Sequence, residues 1–419
     1  MRRQGMKVFS MAIRNLQRNR RRSLLAASSV FLSIFLVIVL QGFMDGFLDS
    51  LIRNYTKNET GHINITTAEY RERARFMPVD TFLEDYAALS DAIRTELGSI
   101  GNTAVIAPRI RFGVLLSSGN LTRQALALAG DPEIEKKLLM LDKRLLPGGQ
   151  YCDSPGTVII GEKLANDLGL STGDAIKVVA QKADGGIGFK KLKISGLFRT
   201  NVNSLDESVF QMSLNDAQSL LAMGNGTQQL SIMLPASENS ASRAASLSRQ
   251  LESKGFAGLS VLPWTAIGEY PKIVAMAGAV YFSMYIVIAL LGAFIIANIM
   301  TMVVLERKRE IGILMSMGMK KSNLLSLFLL EGSMLGFIGA VGGSIFGLAV
   351  TGIFSKIGFD LTSSMAGFSW PLDNIIHTRF SIGAGIAGIT LGTAVAAIVS
   401  WLPSWRAANL PPVEAIRSI

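Results

Sequence analysis

Charge, cysteine and histidine are all scarce in this chain. Only 17% of its 419 residues are charged while 49% are apolar, against about 25% charged in an average soluble domain. Such a balance excludes a disordered chain, and a mean hydropathy of +0.37 points to a membrane protein with a sizeable soluble part. The single cysteine, Cys152, excludes an intrachain disulfide and with it a secreted disulfide scaffold. Two histidines, His62 and His377, leave little for acid–base work, and without His-Glu-x-x-His or Cys-x-x-Cys no zinc site is readable. The dipeptide Gly-Lys is absent, so the chain holds no P-loop, and any ATP it depends on would be bound by another chain. The stretch Gly169-Leu-Ser-Thr-Gly173 matches a nucleophile elbow in letters only. A helix pattern precedes it and a strand pattern follows, the reverse of what that motif needs, and neither histidine has a supporting context. No catalytic residue is expected.

What the chain has in quantity is long uncharged apolar sequence. Crossing about 30 Å of hydrocarbon takes roughly 20 residues, and four runs are that long: 23–44, 273–305, within 322–355, and 380–405. The first is too long for a signal-peptide core and no small-x-small cleavage site follows it, so it is read as a retained helix. Charge then suggests an orientation. Residues 1–22 hold eight basic groups and no acid, and the loop 306–321 holds five basic and two acidic, while 45–272 holds 24 basic and 25 acidic. The positive-inside rule places both termini and the short loop in the cytoplasm and 45–272 outside, so topology accounts for the net charge of +10 and no nucleic-acid partner is implied. Val8, Phe9, Ala12, Ile13 and Leu16, with Arg14, Asn15, Gln17 and Arg18 between them, read as a basic amphipathic helix on the inner leaflet.

The expected architecture is therefore a cytoplasmic arm (1–22), four transmembrane helices (23–44, 273–305 with a stalk, 322–355, 380–405), a large extracytoplasmic domain (45–272), an external loop (356–379) and a cytoplasmic tail (406–419). Strand patterns at 62–66, 110–116, 124–128, 157–160, 175–179, 192–197 and 229–234, with helix patterns at 81–97, 162–168, 214–223 and 240–254, make the outer domain α+β. Gly339, Gly343 and Gly347 recur every four residues in the third span, as do Gly332 and Gly336, while Gly388 and Gly392 do so in the fourth. Small residues at this spacing let helices approach closely, within one subunit or at a dimer seam. Glu331, at the start of the third span, is nearly the only charge in the apolar runs, which argues against a proton-coupled carrier or an ion channel.

Two stretches carry a resemblance. The short loop reads Leu305-Glu-Arg-Lys-Arg-Glu-Ile-Gly-Ile-Leu-Met-Ser-Met-Gly-Met319, and the chain ends Pro403-Ser-Trp-Arg-Ala-Ala-Asn-Leu-Pro-Pro-Val-Glu-Ala-Ile-Arg417. Together, and in the same order of elements, they resemble the hallmark segments of FtsX-like ABC permeases, the family of MacB, FtsX and LolC/LolE. The resemblance implies that the loop couples to a cytoplasmic ATPase dimer, with Glu306, Arg307, Arg309, Glu310, Gly312, Leu314, Met317 and Gly318 at the contact. Glu306 and Glu310 are read as one helical face, and Ile311, Leu314 and Met317 as an apolar edge for the partner. It further implies ATP and magnesium on that partner, no cofactor in this chain, a second permease copy or paralogue, and residence in the bacterial inner membrane.

Within the family the outer domain is more similar to LolC/LolE, on Asp45-Gly-Phe47, Gly61-His-Ile-Asn-Ile65, Ala107-Pro-Arg-Ile110, Ile160-Gly-Glu-Lys-Leu-Ala165, Gly173-Asp174 and Ser195-Gly-Leu-Phe198. This implies a porter-like part at 45–144 and 223–272 with a subdomain inserted at 145–222. It also implies lipoprotein extraction, with acyl chains against Phe43, Phe47, Leu51, Ile273, Met276, Tyr281 and Met284. One feature departs from the LolC pattern. The hairpin 180–191, where LolC-type subunits carry a proline-bearing hook for the carrier LolA, is short and has no proline. A periplasmic carrier or adaptor, a MacB-like efflux role for peptides or antibiotics, and an FtsX-like role in switching on a wall hydrolase stay open.

Overall fold

The structure, a computed structural model, describes residues 11–12, 14–15, 18, 20–200, 203–235, 239–361 and 375–409. Val8, Phe9, Ile13, Leu16 and Gln17 of the expected arm, much of the expected external loop, and the tail from 410 lie outside the described residues. In chain order the principal elements are α1 (Arg20–Tyr55), β1 (Ile63–Thr67), α2 (Ala68–Arg73), α3 (Tyr86–Glu96), β2 (Val105–Ser118), β3 (Leu121–Gly130), α4 (Pro132–Leu139), β4 (Thr157–Gly161), α5 (Glu162–Asp167), β5 (Ala175–Gln181) and β6 (Ile187–Phe198). There follow α6 (Asn203–Ser208), β7 (Val209–Ser213), α7 (Leu214–Leu221), β8 (Gln229–Met233), α8 (Ser240–Ser253), β9 (Leu259–Pro263), α9 (Tyr270–Glu306), α10 (Lys308–Ser316), α11 (Lys321–Ile357) and α12 (Ile382–Ala408). They form two compact units: a helical one (Met1–Leu48, Ala275–Phe359 and Ile375–Ile419) and a sheet one (Asp49–Val274 and Asp360–Asn374).

The sheet unit is built on nine strands in the order β3-β7-β4-β6-β5-β2-β8-β1-β9. Because β2 also pairs with β3 along ten residues, from Arg109↔Gly130 to Ser118↔Leu121, six of these strands close into a ring. Closure removes the exposed strand edges that invite aggregation. Large and small residues meet across the ring's interior. Ile110, Phe112 and Val114 on β2 pair with Ala129, Ala127 and Ala125 on β3, so large side chains lie beside small ones. The remaining strands, β8, β1 and β9, form a flap whose Ile63, Ile65, Leu230 and Ile232 pack on α3 and α8. Caps fix the helices locally: Asp85 accepts from Ala88 N, Asp131 precedes Pro132 at the start of α4, and Ser213 accepts from Asp216 N. The β2–β3 ribbon, residues 105–130, shares its core with residues 158–223.

In the helical unit, α1, α9, α11 and α12 are each long and apolar enough to cross a membrane. Their common core joins Val30, Ile34 and Ile38 of α1, Ile296, Met300 and Val304 of α9, Phe328, Leu335 and Ala340 of α11, and Ala396 of α12. The glycines on α11 make this possible. A Cβ at Gly339 would stand 2.4 Å from the Ala27 carbonyl, and one at Gly343 would stand 2.5 Å from that of Phe31. At Gly347 it would meet Ile38 at 3.0 Å, so α1 lies directly on the stripe. On the same helix Gly336 leaves room for Ala396 of α12.

Candidate coupling site

The loop between α9 and α11 is itself helical. α9 runs to Glu306, the chain breaks at Arg307 (φ −95°, ψ 13°), and α10 begins at Lys308. Glu306 and Glu310 therefore sit on two different helices, not on one continuous face as the spacing suggested, because the break interposes a turn. α10 ends in a left-handed reversal at Gly318 (φ 88°), where Gly318 N donates to the Met315 carbonyl and Met319 N to that of Leu314. A side chain at Gly318 would strain this exit.

Packing on the bundle decides which residues of α10 face outward. Ile311 is buried at 1% exposure among the core residues of the bundle, and Gly312 is buried beside it. The expected edge of Ile311, Leu314 and Met317 is corrected accordingly. Met317 is 80% exposed, Ile313 joins it at 46%, and Leu314 is half-buried. Arg309 is exposed alongside them. The surface that α10 offers is thus Ile313 and Met317, four residues apart on one helical face, with a cation nearby.

A charged network that the sequence did not reveal braces this helix. Arg307, 9% exposed, donates Nη1 to both carboxylate oxygens of Glu331 at 3.1 and 3.4 Å, and Glu331 is 4% exposed. The Arg307 Nε donates to Glu310 Oε2 at 2.9 Å, and its guanidinium lies 5.6 Å from the Phe328 ring centre. The arm preceding α1 closes the network: Asn15 Nδ2 donates to Glu331 Oε1 at 2.5 Å, and Arg18 pairs with Glu310. Partial burial would raise the Glu310 carboxyl, but Arg307 and Arg18 outweigh it and hold the group below its ordinary range. The N-terminal arm, α9, α10 and α11 are thereby tied at one point.

The seven residues expected to meet acyl chains fall in both units. Phe43 packs edge-on against Phe359 at 5.4 Å, Phe47 and Tyr281 are half-buried, and Met276 and Met284 are 64% and 41% exposed in the helical unit. Leu51 and Ile273 belong to the sheet unit. Leu51 is 1% exposed, which leaves it no free surface for an acyl chain. Among the described residues no group of three or more His, Cys, Asp or Glu is placed to hold a metal ion.

Comparison with known proteins agrees with this layout. The profile of the MacB-like periplasmic core domain matches residues 23–250, and that of the FtsX-like permease C-terminal region matches 282–412. The lipoprotein-releasing system transmembrane protein LolC of Xylella fastidiosa (strain 9a5c) is 25% identical over 324 residues, covering 74% of this chain and 77% of its own length. That of Neisseria meningitidis serogroup B is 26% identical over 365 residues, covering 78% and 86%. The macrolide export ATP-binding/permease protein MacB of Mannheimia succiniciproducens is 32% identical over 127 residues, covering 30% of this chain and 17% of its own.

Proposed function

This chain belongs to the FtsX-like, MacB-type family of ABC transporter permeases, and from that premise we propose that it is the permease of a machine that extracts lipoproteins from the outer leaflet of the bacterial inner membrane. Both termini lie in the cytoplasm in this reading, and α10 docks on a partner ATPase dimer that binds ATP and magnesium. The observation that carries the coupling role is the exposed pair Ile313 and Met317 on a helix whose base is pinned by Arg307 and Glu331. A rigidly based helix passes a push from its partner to α9 and α11 without bending. Closure of the ATPases would then displace the spans and, through α1 and α9, the sheet unit. The two LolC relatives, each matching about three quarters of this chain, support the lipoprotein substrate.

The test is purification of the full-length protein in mild detergent without ATP, with mass spectrometry of what accompanies it. An ATPase together with acylated lipoproteins is the expected result. An ATPase with an adaptor or a wall hydrolase and no acylated protein would replace extraction by efflux or signalling. The MacB-like efflux reading is favoured by one feature, the short proline-free turn between β5 and β6. Ile313→Arg with Met317→Arg is expected to abolish ATPase co-purification while the permease still inserts. Normal ATP turnover by the complex of that variant would refute the docking surface.

A further inference from the structure

The two helices that enter the sheet unit share a joint there. β1 follows α1 and β9 precedes α9, and these strands are antiparallel neighbours in the register Ile63↔Pro263 to Thr67↔Leu259. Both helices therefore meet the sheet at the same end of one strand pair. α1 reaches it through a π turn, Thr56–Thr60, closed by Gly61 N donating to the Thr56 carbonyl at 2.7 Å. α9 starts after a short 3₁₀ turn, Trp264–Ala266, and carries Pro271 in its first turn, where no amide donor is needed. The boundary between the two units falls inside both helices. Asp49–Tyr55 of α1 and Tyr270–Val274 of α9 belong to the sheet unit.

Tyr55 spans the joint. It is 3% exposed, and its hydroxyl donates to the Ile267 carbonyl at 2.6 Å. Its ring centre lies 4.6 Å from that of Tyr270, with the planes tilted by 36°. One side chain of α1 thus holds both the linker that leads out of β9 and the first residue of α9. The linker is shaped to receive it. Gly268 has φ 68°, and a Cβ there would stand 2.7 Å from the Tyr55 hydroxyl oxygen. Glycine suits that position twice, for its backbone and for the close approach. A buried tyrosine hydroxyl takes a hydrogen-bond partner. Here the partner is a main-chain carbonyl, which cannot turn away as a side chain could.

We propose that Tyr55 is a positioning residue for transmission: it locks the sheet end of α1 to that of α9, so that the sheet unit is driven by the pair as one lever. With the two ends free, displacement of one helix would dissipate as sliding past the other. The proposal takes the source of the motion from the coupling reading above, while the lock itself rests on the contacts of Tyr55.

Spin labels on Arg53→Cys and Lys272→Cys, both exposed and both in the sheet unit, report the separation of the helix ends. Cys152, 1% exposed, stays unlabelled in the folded protein. Double electron–electron resonance is recorded on the full-length protein in detergent, alone and with its co-purified ATPase and a non-hydrolysable ATP analogue. One narrow distance, the same in both states, is expected. Tyr55→Phe keeps the ring and removes the donor. It should enlarge the population at other distances about fivefold, the scale of one hydrogen bond. Substrate released per ATP should fall by a similar factor while hydrolysis continues. Gly268→Ala reaches the joint from the other side and should broaden the distribution too. In the double variant the effects should be less than additive, because the added methyl collides with a hydroxyl that phenylalanine lacks. A distribution in Tyr55→Phe as narrow as in the parent, or a parent separation that changes with nucleotide, overturns the lock. A broadened distribution with unchanged substrate release per ATP overturns its role in transmission. The measurement on the permease alone involves no ATPase, so a failed lock and a failed coupling reading give different results.

Discussion

Two arginines illustrate opposite ways of burying a cation in one chain. In the helical unit Arg307 meets two carboxylates and an aromatic face, and its acceptor Glu331 takes a further hydrogen bond from Asn15. In the sheet unit Arg71 meets an amide oxygen and keeps a buried Nε without an acceptor. A closed network holds helices at fixed positions, which is what transmission of force requires. An open one leaves a buried donor unanswered and costs stability. The same residue type therefore serves as a brace in one place and keeps an unanswered donor in the other, and only the accounting of acceptors separates them.

The most forceful way to break this comparison is to open the closed network. Glu331→Ala leaves Arg307 buried opposite a void, and removal of one partner of such a pair costs about 3–5 kcal/mol. Thermal or denaturant unfolding in detergent measures it. Arg307→Met with Glu331→Leu should recover most of that stability, because apolar replacement of a whole buried pair is often neutral. If the network transmits force, the double variant folds and binds its ATPase yet loses ATP-driven turnover of substrate. Full activity in the double variant would reduce the pair to packing.

The next largest effect tests whether the brace needs the helices beneath it. Gly343→Leu drives a side chain into the Phe31 carbonyl, 2.5 Å from an added Cβ, and into Ile34 at 3.1 Å. Overpacking of this kind costs about 1–3 kcal/mol. It should also separate α1 from α11 and weaken the contacts that Asn15 and Arg18 make. An unchanged melting temperature would show that this stripe tolerates a wider crossing.

A smaller and pH-dependent effect belongs to a polar group that is buried with a single partner. His62 is 9% exposed and its Nδ1 accepts from Leu234 N at 3.0 Å. Burial lowers the imidazole below its ordinary value. In the unfolded chain His62 gains a proton near the ordinary value of about 6.5, while the folded chain resists it until lower pH. Stability of the sheet unit is therefore complete above that point and declines as pH falls toward the folded pKa, by up to about 1.4 kcal/mol per pH unit. His62→Asn keeps an acceptor near Leu234 N and should flatten the decline between pH 6.5 and 5. An identical slope in the variant would assign the decline to other groups.

How far this was readable beforehand depended on the range of the interactions. Four uncharged runs announce the four apolar helices directly, since length alone suffices. Most strands of the sheet unit are visible because one face is apolar and the next residue is not. Strand β7, Val209–Ser213, escaped because it is only five residues long, is polar at Gln211 and Ser213, and runs directly between two helices. The ring closure through β2 and β3 is a matter of pairing, which no local pattern encodes. At the coupling site the basic loop was legible, but Arg307 looked like one cation in a run and Glu331 like a lone acid. They stand 24 residues apart, and only the packing of α9 on α11 brings them together. Ile311 and Ile313 point to different sides of α10, and its packing on the bundle, which spacing alone does not show, buries the first and exposes the second.

The smallest expected effect sharpens the comparison from its outer rim. Arg18 pairs with Glu310, but their side chains are 58% and 44% exposed, whereas Arg307 and Glu331 are 10% and 5% exposed. Water screens the outer pair and both long side chains lose rotamer freedom to make it, so Arg18→Ala should cost about 0–1 kcal/mol. Salt should erase even that difference, since the Debye length falls to about 3 Å at 1 M. The inner pair should be nearly indifferent to the same salt. Glu310 supplies the pH signature of the rim. Its carboxyl is held below the ordinary range, so its contribution is present above the unfolded value and disappears as pH falls through the folded one. Arg18→Ala should reduce that acid sensitivity but not remove it, because Arg307 still donates to Glu310. A loss in Arg18→Ala as large as that in Glu331→Ala, or one that survives high salt, would mean that the arm is as firmly bound as the core of the network. The distinction between a fixed brace and a releasable arm would then fall.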